Sequence, residues 1–129
     1  MKLSYFTMPL HPPERNYAET LKEDREAFIL ADQLGYEEAF VGEHVTDRAE
    51  TITSCLMFLA SLATDTKNIK LGSGTVNLPL THPVIVAAQV AMIDNLLEGR
   101  FLFGISPGGL LSDAEALGAL RCRFNATDV

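Results

Sequence analysis

The sequence predicts an α/β protein built from parallel strand–helix crossover units. Three observations carry that prediction. Short β-forming segments alternate with longer helical ones, the strand-like segments begin near residues 2, 37, 69 and 101, and glycine or proline marks most of the joints. Strands separated by helices at this interval pair in parallel, because a parallel neighbour requires a long crossover. Two architectures share the signature: the open doubly wound sheet and the closed eight-fold βα barrel. A barrel needs about 250 residues, whereas this chain has 129.

Residues 2–7 read as the first strand. Pro9, Pro12 and Pro13 then impose an irregular loop, since each fixes φ and removes a donor. A helix is expected over 17–34, with Leu21, Phe28, Ala31 and Leu34 on one face and Lys22, Glu23, Asp24, Arg25 and Glu26 mostly on the other. Gly35 ends it where a left-handed residue is needed. Residues 38–42 form the second strand, and 51–63 a helix apolar on most sides. The third strand covers 69–74. Pro83 opens a third helix at a favoured first-turn position, with Val86, Val90, Ile93 and Leu97 as its inward stripe and Gly99 at its close. Residues 101–105 are the fourth strand, and Ser112 is expected to cap a short helix over 113–117.

Composition narrows the partners. Apolar residues make up 47% and charged residues 21%, the balance of a single globular domain with a real core. Ten basic against seventeen acidic residues give a net charge of -7, which repels nucleic acid. No apolar run approaches the roughly 18 residues of a membrane span. The first residues run straight into a strand pattern without a signal-peptide apolar region. Cys55 and Cys122 stand far apart without metal-ligand spacing, so a reducing cytoplasm is expected and no metal site. Cys55, in a greasy helical stretch, reads as core filling.

In either architecture ligands gather at the carboxyl ends of the strands. Polar groups follow three of them: Gly42-Glu43-His44-Val45-Thr46-Asp47, Gly74-Thr75-Val76-Asn77 running to Thr81-His82-Pro83, and Ser106-Pro107-Gly108-Gly109 running to Ser112-Asp113. Nucleotide motifs fit poorly. Gly72-Ser73-Gly74 begins like a dinucleotide fingerprint but lacks its third glycine, and a proline-bearing loop stands where the helix should start.

Gly42-Glu43-His44, Gly72-Ser73-Gly74-Thr75 leading to Thr81-His82-Pro83, and Asp94 through Glu98-Gly99-Arg100-Phe101 to Gly104 together resemble the bacterial-luciferase-like, flavin-dependent monooxygenases. The likeness runs from about residue 1 to about 118, and the tail from about 120 departs from it. It implies the first half of a TIM-type eight-fold barrel, a partial domain of about four strand–helix units over 1–129. It also implies reduced FMN and oxygen acting on a small hydrophobic substrate, with a separate flavin reductase as a possible partner. A deazaflavin-dependent oxidoreductase and a catalytically silent fragment or interaction module are the alternatives.

The resemblance makes His44 the catalytic candidate, since imidazole exchanges protons near neutrality. The plainer reading is a strand-end histidine bonded to Glu43 or to loop backbone. Glu43 is expected to be a structural carboxylate. Gly74 and Thr75 are expected under the flavin ring, joined by a cis or otherwise unusual peptide, with an ordinary glycine-assisted strand end as the alternative. Asn77 is placed either at a flavin edge or in a turn, and Ser106 at the strand end nearest the reactive edge. The resemblance offers a basic phosphate-holding residue just after Ser106 in some members, where this chain has Pro107. His82 reads as a helix-entry residue. Asp94 and Arg100 are expected to tie the third helix to the fourth strand. The unpaired outer strands of a half barrel favour homo-oligomers through edge pairing.

Overall fold

In the computed structural model, which describes residues 2–118, the elements follow in the order β1 (Ser4–Thr7), α1 (Tyr17–Gln33), β2 (Glu38–Val41), α2 (Cys55–Ala60), β3 (Lys70–Ser73), β4 (Val76–Asn77), a 3₁₀ turn (Leu78–Leu80), α3 (Pro83–Leu96), β5 (Phe101–Leu102), β6 (Ile105–Ser106) and α4 (Leu111–Ala116). The sheet runs β1-β2-β3-β5, all parallel, and β4 pairs with β6 as a second small parallel ladder. Spatial order equals chain order, without the reversal that defines a doubly wound sheet. Successive right-handed crossovers then lay the helices along one face, as in a βα barrel.

The packed face explains the alternation within each strand. Ala39 and Val41 of β2 and Leu71 of β3 are fully buried, and they meet Phe28 of α1 and Phe58, Leu59 and Leu62 in one core. Tyr5 of β1, Phe28 and Phe58 stack edge to face in series, each pair 5.3 Å between ring centres. Side chains of opposite parity point to the other face. There Phe6 is 61% exposed, and the Phe40 ring occupies the space beside Gly72.

Several expectations hold. Gly35 and Gly99 take positive φ after their helices, and His82 caps α3 through its ring nitrogen; Asn16, which the sequence pattern did not single out, caps α1 by accepting from Ala18 N and Glu19 N. Cys55 is buried. Val86, Ile93 and Leu97 are buried, with Val90 partly so. The tail beyond 118, with Cys122, lies outside the described residues.

Other expectations fail for tertiary reasons. Leu34 is exposed, while Thr20 and Asp24 turn inward on α1. Asp24 is drawn in by His11, whose Nε2 lies 3.0 and 3.1 Å from its two carboxylate oxygens. The second helix starts at Cys55, because the segment before it is held as loop. His44 N donates to Ile52 O, Tyr17 hydroxyl donates to Thr51 O, and Ser54 caps the helix. The third and fourth strands each break in two, at Gly74–Thr75 and at Phe103–Gly104. Ser112 is no cap: α4 starts after Leu110, and the Ser112 hydroxyl meets Thr46 instead. Arg100 binds the loop entering β3, donating to Thr66 Oγ1, Thr66 O and Ile69 O, and so ties β5 to that loop and not to Asp94. No described helix is long and apolar enough to cross a membrane, and no group of potential metal ligands occurs among the described residues.

Candidate functional site

The strand tips are joined by a continuous polar network. The peptide between Gly74 and Thr75 is cis, where the sequence placed an unusual bond. Thr75 Oγ1 donates to Ser106 Oγ at 2.6 Å, and Ser106 donates in turn to Asn77 Oδ1 at 3.0 Å. Gly108 N also donates to Ser106 Oγ. Asn77 Nδ2 donates to Glu43 O, and Asn77 N to Glu43 Oε1. The second carboxylate oxygen of Glu43 accepts Cys55 N, so this one side chain fastens the tip of β2 to β4 and to the start of α2. Burial, with the adjacent Glu43 charge, pushes the Cys55 thiol far up, which leaves it an inert protonated filler.

Every proton and lone pair of the Asn77 amide that the network reaches serves Ser106 or Glu43, and Asn77 is buried. Ser106 has spent its proton and accepts twice. Thr75 donates its proton and keeps hydroxyl lone pairs for another donor.

His44 stands one residue beyond Glu43 and looks toward α4. Its Nδ1 lies 3.1 Å from Asp113 Oδ2, and Nε2 lies 3.4 Å from Glu50 Oε2. Asp113 Oδ1 collects Val45 N, Thr46 N and Thr46 Oγ1. Burial works to raise the Asp113 carboxyl, but the bonds from Thr46, His44 and Val45 outweigh it and hold it below the ordinary value.

The structure therefore gathers Gly74, Thr75, Asn77 and Ser106 into one bonded cluster. It attaches His44 to that cluster through the neighbouring Glu43 backbone, while the imidazole itself is held by Asp113 and faces Glu50. The expected local partners of His44, Glu43 and loop backbone, are not what its ring meets. Sequence reasoning missed Asp113 and Glu50. Asp113 sits in the polar run after the fourth strand, which was a signal for the region but not for the pairing across 69 positions.

Comparison with known proteins agrees with the fold. The model of the family described as luciferase-like monooxygenase matches residues 1–127. The chain is 42% identical over 113 residues to 4-hydroxyprotoasukamycin monooxygenase of Streptomyces nodosus subsp. asukaensis, covering 88% of this chain and 30% of that protein. It is 39% identical to limonene 1,2-monooxygenase of Rhodococcus erythropolis, covering 88% of this chain and 29% of that protein. Its fold superposes with a TM-score of 0.87 on the oxygenating constituent of 3,6-diketocamphane monooxygenase of Pseudomonas putida, solved with FMN. The identity is 27%, over 92% of this chain and 32% of that one. A coenzyme F420 dependent tetrahydromethanopterin reductase from Methanopyrus kandleri matches at a TM-score of 0.69 and 25% identity, over 91% and 30% of the two chains. The chain thus spans about a third of the length of the curated relatives it matches. By the match over nearly its whole length, it belongs to the luciferase-like monooxygenase family.

Proposed function

We propose that this chain forms the flavin-facing part of an FMN-dependent monooxygenase that uses oxygen on a small hydrophobic substrate, with reduced flavin supplied by a separate reductase. The single observation that carries the reading is the bonded cluster of Thr75, Ser106 and Asn77 at adjoining strand tips, beside the cis Gly74–Thr75 peptide. The residues fit a flat, two-sided ring system. Gly74 offers no side chain, and a Cβ there would meet the Phe6 ring at 3.0 Å and the Phe40 Cβ at 3.3 Å, so bare backbone lies next to the Phe6 ring. An apolar floor with a few convergent polar atoms is the usual make-up of a cofactor site.

When bound, reduced flavin supplies the electrons that activate oxygen. The chain's own residues bind and orient. Thr75 would offer its remaining hydroxyl lone pairs to the flavin, and Ser106 fixes that hydroxyl's direction. Asn77 and Glu43 act through Ser106 and the backbone, keeping β4 and β2 in register at the tip. Phe6 and Phe40 displace water from the ring face. His44, its Nδ1 proton directed to Asp113, holds or moves a proton at Nε2.

The test is titration with FMN and with dithionite-reduced FMN, followed by flavin fluorescence and absorbance. Stoichiometric binding weakened about tenfold by Thr75→Ala, equivalent to roughly 1.4 kcal/mol, is the expected result. Absence of binding to either form would overturn the reading. The likeness to the F420-dependent reductase favours a second reading, a deazaflavin oxidoreductase working by hydride transfer. A parallel titration with a deazaflavin decides between them by preference.

A further inference from the structure

We infer that Glu50 is the proton-exchange partner of His44, linking the candidate site to solvent through the loop between β2 and α2; this rests on reading His44 as the proton-handling group. The two carboxylates that face the imidazole are not equivalent. Asp113 approaches Nδ1 within hydrogen-bond distance, and its other oxygen is saturated by the backbone N–H groups of Val45 and Thr46 and by the Thr46 hydroxyl. An ionised carboxylate only accepts, so the proton on Nδ1 is pinned there. Nε2 is then the nitrogen that gains and loses a proton, and Glu50 Oε2 stands 3.4 Å from it.

Accessibility separates their roles further. The Asp113 side chain is 4% exposed and that of Glu50 19%. Of these two carboxylates, Glu50 is the one that reaches both the ring and water. Its position is set from two sides: an antiparallel bridge joins Glu50 to Leu10, and Asp47 Oδ1 accepts Ala49 N and Glu50 N. Two neighbouring ionisable groups are committed elsewhere. Glu43 is spent on Cys55 N and Asn77 N, and His11 is bound to Asp24.

The transfer balances without any further reactant. The Nε2–H bond of the imidazolium breaks and an O–H bond forms on Glu50 Oε2. The imidazole is left neutral with its Nδ1 proton still shared with Asp113, and the neutral acid of Glu50 then passes its proton to water. Running the steps backwards recharges the ring. The 3.4 Å separation is longer than the Asp113 contact.

The experiment is long-range ¹H–¹⁵N correlation of the His44 ring in the 129-residue chain, with Glu50→Gln, Glu50→Asp and Asp113→Asn alongside wild type. The cross-peak pattern reports which nitrogen carries the proton, and line shapes report its exchange with water. Wild type is expected to keep Nδ1 protonated. Glu50→Gln is expected to keep that pattern but slow Nε2 exchange by about tenfold or more, with added formate restoring it, as for a lost general acid–base. Glu50→Asp should retain part of the rate. Unchanged exchange in Glu50→Gln, or a tautomer change like that of Asp113→Asn, would overturn the assignment. FMN titration of the same samples separates the two ideas, because loss of flavin binding in wild type strikes the flavin reading while the exchange rates still judge Glu50.

Discussion

At the amino end of β3, the Asp32 carboxylate accepts the backbone N–H groups of Lys67, Asn68 and Ile69 at 2.9, 2.9 and 2.7 Å. At the carboxyl end of the sheet, Asp113 accepts Val45 N, Thr46 N and the Thr46 hydroxyl in the same manner. Both carboxyls are desolvated, which works to raise them, and both are nevertheless held below their ordinary value by those bonds. The difference lies in one partner. Asp32 meets only backbone, with the Arg100 charge assisting nearby, whereas Asp113 also holds an imidazole that can change its own charge. The same loop-clasping chemistry is an anchor at one end and part of the candidate site at the other, in keeping with a barrel's division between a stable bottom and a reactive top.

The largest expected effect comes from removing the anchor. Asp32→Ala leaves three N–H groups without their acceptor and should cost about 2–4 kcal/mol in urea unfolding, while the His44 ring spectrum stays as in wild type. A changed His44 spectrum would break the separation of the two ends. Arg100→Lys, which loses the planar fork shared among Thr66 and Ile69, should cost about 1–2 kcal/mol, again without touching flavin binding. Asp113→Asn should cost about 1 kcal/mol in stability, yet alter the His44 tautomer, because an amide can turn a donor toward Nδ1. That split between a small stability change and a large spectral change is the sharpest mark of the second clasp.

Acid sharpens the comparison further. A carboxyl whose folded value is depressed contributes stability that is fully present above its unfolded value, about 3.9 for Asp, and loses it as pH falls through the lower folded value. The contributions of Asp32 and Asp113 should therefore be level from neutral pH to about pH 5 and fade below about pH 4. Subtracting the Asp32→Ala and Asp113→Asn unfolding curves from wild type between those limits checks this. Asp24 has the opposite sign: burial raises its carboxyl although His11 pulls it down, so ionising it costs stability as pH rises through its folded value. Asp24→Asn should consequently steepen the acid limb.

Local chemistry made much of this legible. Glycines in left-handed backbone, His82 at a helix entry and the βα periodicity all depend on residues close together in the chain. The motif at Gly74–Thr75 pointed to the cis bond through family likeness and not through periodicity. What stayed hidden depends on distance. Leu34 sits at helical spacing with Phe28 and Ala31, but the apolar stripe does not say that this C-cap position is left exposed. Asp24 looked solvent-facing until His11, from the preceding loop, turned it inward. The Asp113 and Glu50 contacts with His44 join segments that no pattern within a single element connects, so only the assembled strand tips reveal which carboxylate serves the histidine.

Between β5 and β6 the chain passes Gly104, where a Cβ would lie 2.2 Å from the carbonyl oxygen of Ser73. The Ser73 hydroxyl bridges the same spot, donating to Gly104 O and accepting Gly104 N. A library randomised at that codon should return glycine almost alone. Alanine there would push β6 off β4, separating Val76 from Ile105 and carrying Ser106 away from Thr75. Damage at a residue with no side chain would thus surface as a lost hydroxyl pair two positions downstream.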